Sequence, residues 1–111
     1  NAHGTSTPAG DPIELNAIKS VFKNDIPIVS STKSLTGHTL GAAGVQECIY
    51  SILMMNENFI TGNKNLTDPI PEADGINIPE KSLEKEFDSF MSNSFGFGGT
   101  NVSLVLSKFK N

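Results

Sequence analysis

Three short motifs built from small and hydroxyl residues each hold one chemically active side chain: His3 in HGTSTP, Lys33 in STKS and His38 in TGH. A phenylalanine–glycine segment, SFGFGGTN, follows from Ser94 to Asn101. Such stretches are too rich in glycine and hydroxyls to form element interiors, so the spacing predicts a catalytic centre assembled from loops on an α/β scaffold.

At 111 residues with 37% hydrophobic content, the chain has material for at most one domain, read as spanning 1–111. His3 lies so close to Asn1 that no local element precedes it, which predicts a piece of something longer. A formal net charge of −4 with scattered charges supplies no basic face for nucleic acid. No apolar run approaches the roughly 20 residues that cross a bilayer, and no charged leader with an apolar core is present. The single cysteine, Cys48, excludes an internal disulfide and any CxxC site and fits a reducing cytoplasm.

Along the chain, DPIELNAIKSVF predicts a helix capped by Asp11, with Pro12 first and Glu14 closing a capping box. Leu15, Ile18 and Phe22 form its apolar stripe, with Asn16 and Lys19 towards water, and it should end near Asn24. IPIVSST reads as a short buried strand. TLGAAGVQECIYSILMMNENF reads as a long helix buried on nearly all faces, with Gly41 and Gly44 marking close packing. Residues 61–80 are mostly connection with GINI as a weak strand, and EKSLEKE is a solvated charged stretch. Phe87–Ser94 and Asn101–Leu106 pair as a hairpin with a long glycine-rich tip.

A lone histidine is more often structural than catalytic, and His3 in isolation reads that way. His38 is placed at the start of a helix, where aligned peptide dipoles disfavour an imidazolium and leave a neutral N–H donor for an oxyanion. Lys33 would add positive potential in the same direction. Two histidines without a third ligand or a cysteine pair make a poor zinc site. GFGGT lacks the lysine and helix of a phosphate-binding loop, so its glycines more plausibly aim backbone N–H groups at a substrate oxygen.

HGTSTPAGD, STKSLTGHTLGAAG and MSNSFGFGGTN together resemble the β-ketoacyl-[acyl-carrier-protein] synthases, over Asn1 to Ser107, with VQECIYSILMM and MSNSFGFGGTN leaning towards the synthase I type. The resemblance implies a thiolase-like fold, of which this chain would be most of the C-terminal half, a truncated fragment of layered α/β structure with a mixed sheet. It implies decarboxylating condensation of an acyl thioester with malonyl-carrier protein, no cofactor or metal, an acyl carrier protein as partner and a homodimer. Carried onto this sequence, it makes His3 and His38 the donors to the malonyl thioester oxygen, with Lys33 beside them. Phe97 becomes the gating residue, whose backbone N–H joins the oxyanion hole, with Phe95 in support. Thr5 and Thr7 become hydroxyls for the pantetheine arm. Glu14 matches an acidic partner of the lysine as well as a capping box. The nucleophilic cysteine is expected outside this chain, since Cys48 would lie about three turns into the helix, so the chain alone should not condense. The alternative is a non-catalytic subunit of the same fold, similar to chain-length factors of polyketide assembly.

Overall fold

In the computed structural model, which describes residues 1–111, Asn1 and Ala2 lie between two extended segments and tie them together. The Asn1 nitrogen donates to Met91 O (2.7 Å) and Asn1 O accepts from Asn93 N (3.0 Å), the bonding pattern of a parallel pair. On the other side Ala2 N donates to Ser30 O (2.8 Å), and beyond that Val29 N donates to Asn77 O (3.0 Å). The Asn1 side chain adds a third tie: its Nδ2 reaches Thr32 Oγ1, Glu47 O and Ser51 Oγ at 3.2–3.3 Å.

Around this seam run α1 (Gly10–Phe22), the single-turn α2 (Lys33–Thr36), a 3₁₀ turn at Leu40–Ala42 and α3 (Ala43–Glu57). The strands are β1 (Phe59–Ile60), β2 (Leu83–Glu84), β3 (Ser89–Phe95) and β4 (Asn101–Ser107). β1 pairs antiparallel with β2, and β3 with β4. The expected hairpin is present, in register from Ser89↔Ser107 to Phe95↔Asn101. In place of the layered mixed sheet that the resemblance implies, the chain shows two separate two-stranded antiparallel sheets, with a parallel pair of bonds at the Asn1 seam.

Four local expectations need correction. Helix α1 starts at Gly10, one residue before Asp11, because Thr7 Oγ1 accepts from Gly10 N (3.0 Å) and Asp11 instead receives Ser6 N (3.1 Å). IPIVSST is extended and buried at Val29 and Ser30 but forms no ladder, having only single bonds to Ala2 and Asn77. GINI forms no strand for the same reason, while Leu83–Glu84 within EKSLEKE does pair, its neighbours remaining exposed. Helix α3 is buried on one face only, at Ala43, Glu47, Ser51, Met54 and Met55; Val45, Ile49 and Leu53 form an exposed stripe on another. The expected apolar stripe of α1 holds, with Leu15 and Ile18 buried and Phe22 half-buried. Ala2, Ile18 and Val29 form the small core, and Phe22, Ile26, Ile76 and Ile78 pack on it.

Of the two glycines read as packing marks, Gly44 faces Ser94, whose Oγ would sit 3.1 Å from an added Cβ, while Gly41 faces open space. A tighter constraint lies at Gly62, where a Cβ would come within 2.5 Å of Glu80 O and Lys81 C, both backbone atoms. Gly62→Ala should therefore force the β1 and β2 region apart and cost about 1–3 kcal/mol, the usual range for overpacking, read as a lowered urea midpoint in the intact protein.

Candidate active site

His3 follows the seam directly, and its loop is held by a carboxylate. Glu14, buried on the inner face of α1, accepts His3 N through Oε1 and Gly4 N through Oε2, both at 2.9 Å, and Asn93 Nδ2 through Oε1 at 3.3 Å. Gly4 adopts φ +43°, and an added Cβ would lie 2.8 Å from Ser31, whose hydroxyl donates to Gly4 O (3.2 Å). The HGT turn therefore requires glycine at that position and an anion beneath it. This is neither of the two roles expected for Glu14: its oxygens are taken by the turn and by Asn93, not by a helix cap or by Lys33.

Lys33 begins α2, and its Nζ is ion-paired with Glu47 Oε1 on the buried face of α3. The two side chains are 5% and 3% exposed, so each charge depends on the other for its solvation. Glu47 was not legible as a site residue. Its one sequence signal is a carboxylate in the middle of the helix's small and apolar residues, four positions after Ala43.

His38 lies between α2 and the 3₁₀ turn and is exposed, in contrast to the buried helix start expected from sequence. Its Nδ1 accepts the N–H of Leu40 (3.2 Å), a residue in the left-handed region at φ +56°. A ring nitrogen that accepts carries no proton, so the neutral ring holds its proton on Nε2 as a free donor. The strained backbone at Leu40 thus fixes the tautomer.

The structure brings the two histidines together. Their ring centroids are 5.5 Å apart with planes at 89°, and Phe95 packs on His3 at 5.4 Å. His3 Nδ1 is buried without a partner. A protonated ring would leave an N–H donor unsatisfied there, so geometry favours the neutral ring. Burial lowers the His3 pKa below 6.5, and the nearby Lys33 ammonium lowers it further.

Thr5, Lys33 and His38 line a common cleft of about 570 Å³, together with Glu14, Ser31 and Asn63. Thr7 is outside its wall, with its hydroxyl 3.4 Å from that of Thr5. Phe97, at the tip between β3 and β4, is fully exposed; Phe95 is the phenylalanine that packs on His3. Cys48 lies half-buried in the second turn of α3. No helix is long and apolar enough to cross a membrane.

A family profile described as "Beta-ketoacyl synthase, C-terminal domain" matches residues 1–67. The chain belongs to the β-ketoacyl synthases. The 3-oxoacyl-[acyl-carrier-protein] synthase 1 of Buchnera aphidicola subsp. Baizongia pistaciae is 59% identical over 98% of this synthase chain, and that of Escherichia coli K12 is 53% identical over 99%. The lean towards the synthase I type agrees with these two relatives. The solved ishigamide ketosynthase/chain length factor superposes with a TM-score of 0.93 at 31% identity over 99% of this chain. In each case the synthase chain spans 27% of the matched protein's length.

Two predictions follow from the site's electrostatics. Lys33→Ala alone strands the buried Glu47 carboxylate and should cost about 3–5 kcal/mol in chemical denaturation of the intact synthase, whereas Lys33→Met with Glu47→Leu should recover most of that loss. For His3, the depressed folded pKa means that its contribution to stability is full above 6.5 and is lost as pH falls through the folded value. An NMR titration of the His3 ring should give a midpoint below 6.5 in the intact synthase.

Proposed function

We propose that this chain supplies the malonyl-binding and decarboxylating part of a β-ketoacyl-[acyl-carrier-protein] synthase, an acyltransferase that elongates fatty acyl chains. The observation that carries the reading is the perpendicular pair of imidazoles beside a buried lysine and a phenylalanine. When malonyl-carrier protein binds, His3 and His38 donate N–H bonds to its thioester oxygen. The bond to the terminal carboxylate then breaks and carbon dioxide leaves. The electron pair forms an enolate whose oxygen the two donors stabilise in a site shielded from water. The enolate carbon attacks the carbonyl carbon of an acyl group held as a thioester on a cysteine, and that cysteine departs as thiolate. In this reading the cysteine belongs to the part of the synthase beyond this chain.

Burial, and after it the Lys33 ammonium held by Glu47, lower the His3 pKa and so favour its neutral ring. Thr5 and Thr7 hydrogen-bond the pantetheine arm. Phe97 gates acyl entry from the hairpin tip and lends its backbone N–H to the oxyanion hole, with Phe95 packing beneath. The fold is then the C-terminal half of the layered thiolase-like architecture. The partners are an acyl carrier protein and a second copy of the full chain, in the cytoplasm. A chain-length-factor-like subunit would have little use for both histidines and the buried lysine, which favours the enzyme.

His38→Ala in the intact synthase should reduce carbon dioxide release from malonyl-carrier protein by roughly 100-fold or more, the scale of a lost oxyanion donor, while the cysteine still accepts an acyl group. Loss of acyl transfer with decarboxylation intact would reverse the assignment of roles.

A further inference from the structure

Behind the HGT turn a line of polar bonds runs outward to β4, at a position beyond the motifs. Ser103, on β4, stands opposite Asn93 in the hairpin register, and its hydroxyl donates to Asn93 Oδ1 at 2.8 Å. Asn93 is buried, and its backbone N–H is anchored on Asn1 O (3.0 Å). Its Nδ2 donates to Glu14 Oε1, the oxygen that also holds His3 N. The carboxylate only accepts, so Nδ2 is the end of the amide that faces it, and the Ser103 hydroxyl anchors the opposite end by donating to Oδ1. The Nδ2–Glu14 bond is long, at 3.3 Å, and is a weak tether by itself.

We propose that Ser103 is a positioning residue for His3: by holding the Asn93 amide it fixes the Glu14 carboxylate, and through Glu14 the height of the His3 ring against His38. The inference rests on the role proposed for His3. It assigns a purpose to a polar side chain in VSLVL, where a strand needs none for pairing. A shift of His3 by a fraction of an ångström would misalign one donor with the enolate oxygen while leaving acyl transfer to the cysteine, a step that uses no enolate, unaffected.

The test uses the intact synthase, with malonyl-carrier protein decarboxylation and acyl transfer to the cysteine measured separately. Ser103→Ala should lower kcat for decarboxylation by roughly 3- to 10-fold with KM unchanged and leave acyl transfer within about twofold. Ser103→Thr, which keeps the hydroxyl, should restore the rate. An unchanged kcat in Ser103→Ala, or equal losses in both partial reactions that Ser103→Thr fails to rescue, overturns the inference. His3→Ala serves as the separate arm: retained decarboxylation there overturns the reading of His3 itself, whatever Ser103 does.

Discussion

The Glu14 carboxylate is the contact on which the arrangement of the site depends. A glycine turn with φ +43° presents two backbone N–H groups to one carboxylate, His3 N to Oε1 and Gly4 N to Oε2. An unpaired buried N–H costs about 1–3 kcal/mol, so the turn exists only because an anion lies beneath both donors. The same oxygens take the Asn93 amide, and the acceptor therefore joins α1, the HGT turn and β3 at one point. A glutamine at position 14 could accept two of these donors through its single oxygen but would turn an NH2 group towards the third, whereas a carboxylate matches all three with acceptors alone.

The second buried anion, Glu47, works differently. It faces a full charge rather than N–H dipoles, and the isolated pair is not a strong source of stability, because removing two ions from water offsets much of their attraction. Its value lies in location. α2 and α3 are joined by a glycine-containing connection that passes through His38, and the Lys33–Glu47 pair pins the two helices on either side of it. The histidine is then held between two fixed points, and the left-handed Leu40 turns its ring. At His3 the two partners act in opposite directions, the lysine lowering the ring's pKa and the Glu47 carboxylate raising it, with the lysine the larger.

What could be read directly from residues was whatever is encoded locally. The α1 stripe, the β3–β4 hairpin and the three motifs all follow from neighbours within a few positions, and each is found close to where it was expected. The partners of the buried charges were not legible, because Lys33 and Glu47 lie on separate helices, and Glu14 reaches backwards to His3 as easily as to its own helix start. The extended segment at Val29 and Ser30 was recognised by its β-branched residues. Its pairing was missed, because pairing depends on which segment lies beside it and not on its own composition.

Helix α3 shows the limit of reading burial from composition. Its residues are apolar or small on nearly every side, which argues for a helix enclosed all round. Within this chain only the face with Glu47 and Ser51 is covered, and the Val45, Ile49 and Leu53 stripe is left open to solvent. The covered face mixes Glu47 and Ser51 with Ala43, Met54 and Met55, so the helix has apolar residues on both its buried and its exposed face. A contiguous exposed apolar stripe of this kind is the surface on which a second apolar face packs. Because the chain spans 27% of its synthase relatives, the proposed intact synthase has the mass to provide that cover. On this reading α3 is a central helix whose two faces do different work: one carries the charge that fixes Lys33, and the other is apolar surface on which the remainder of the synthase can pack.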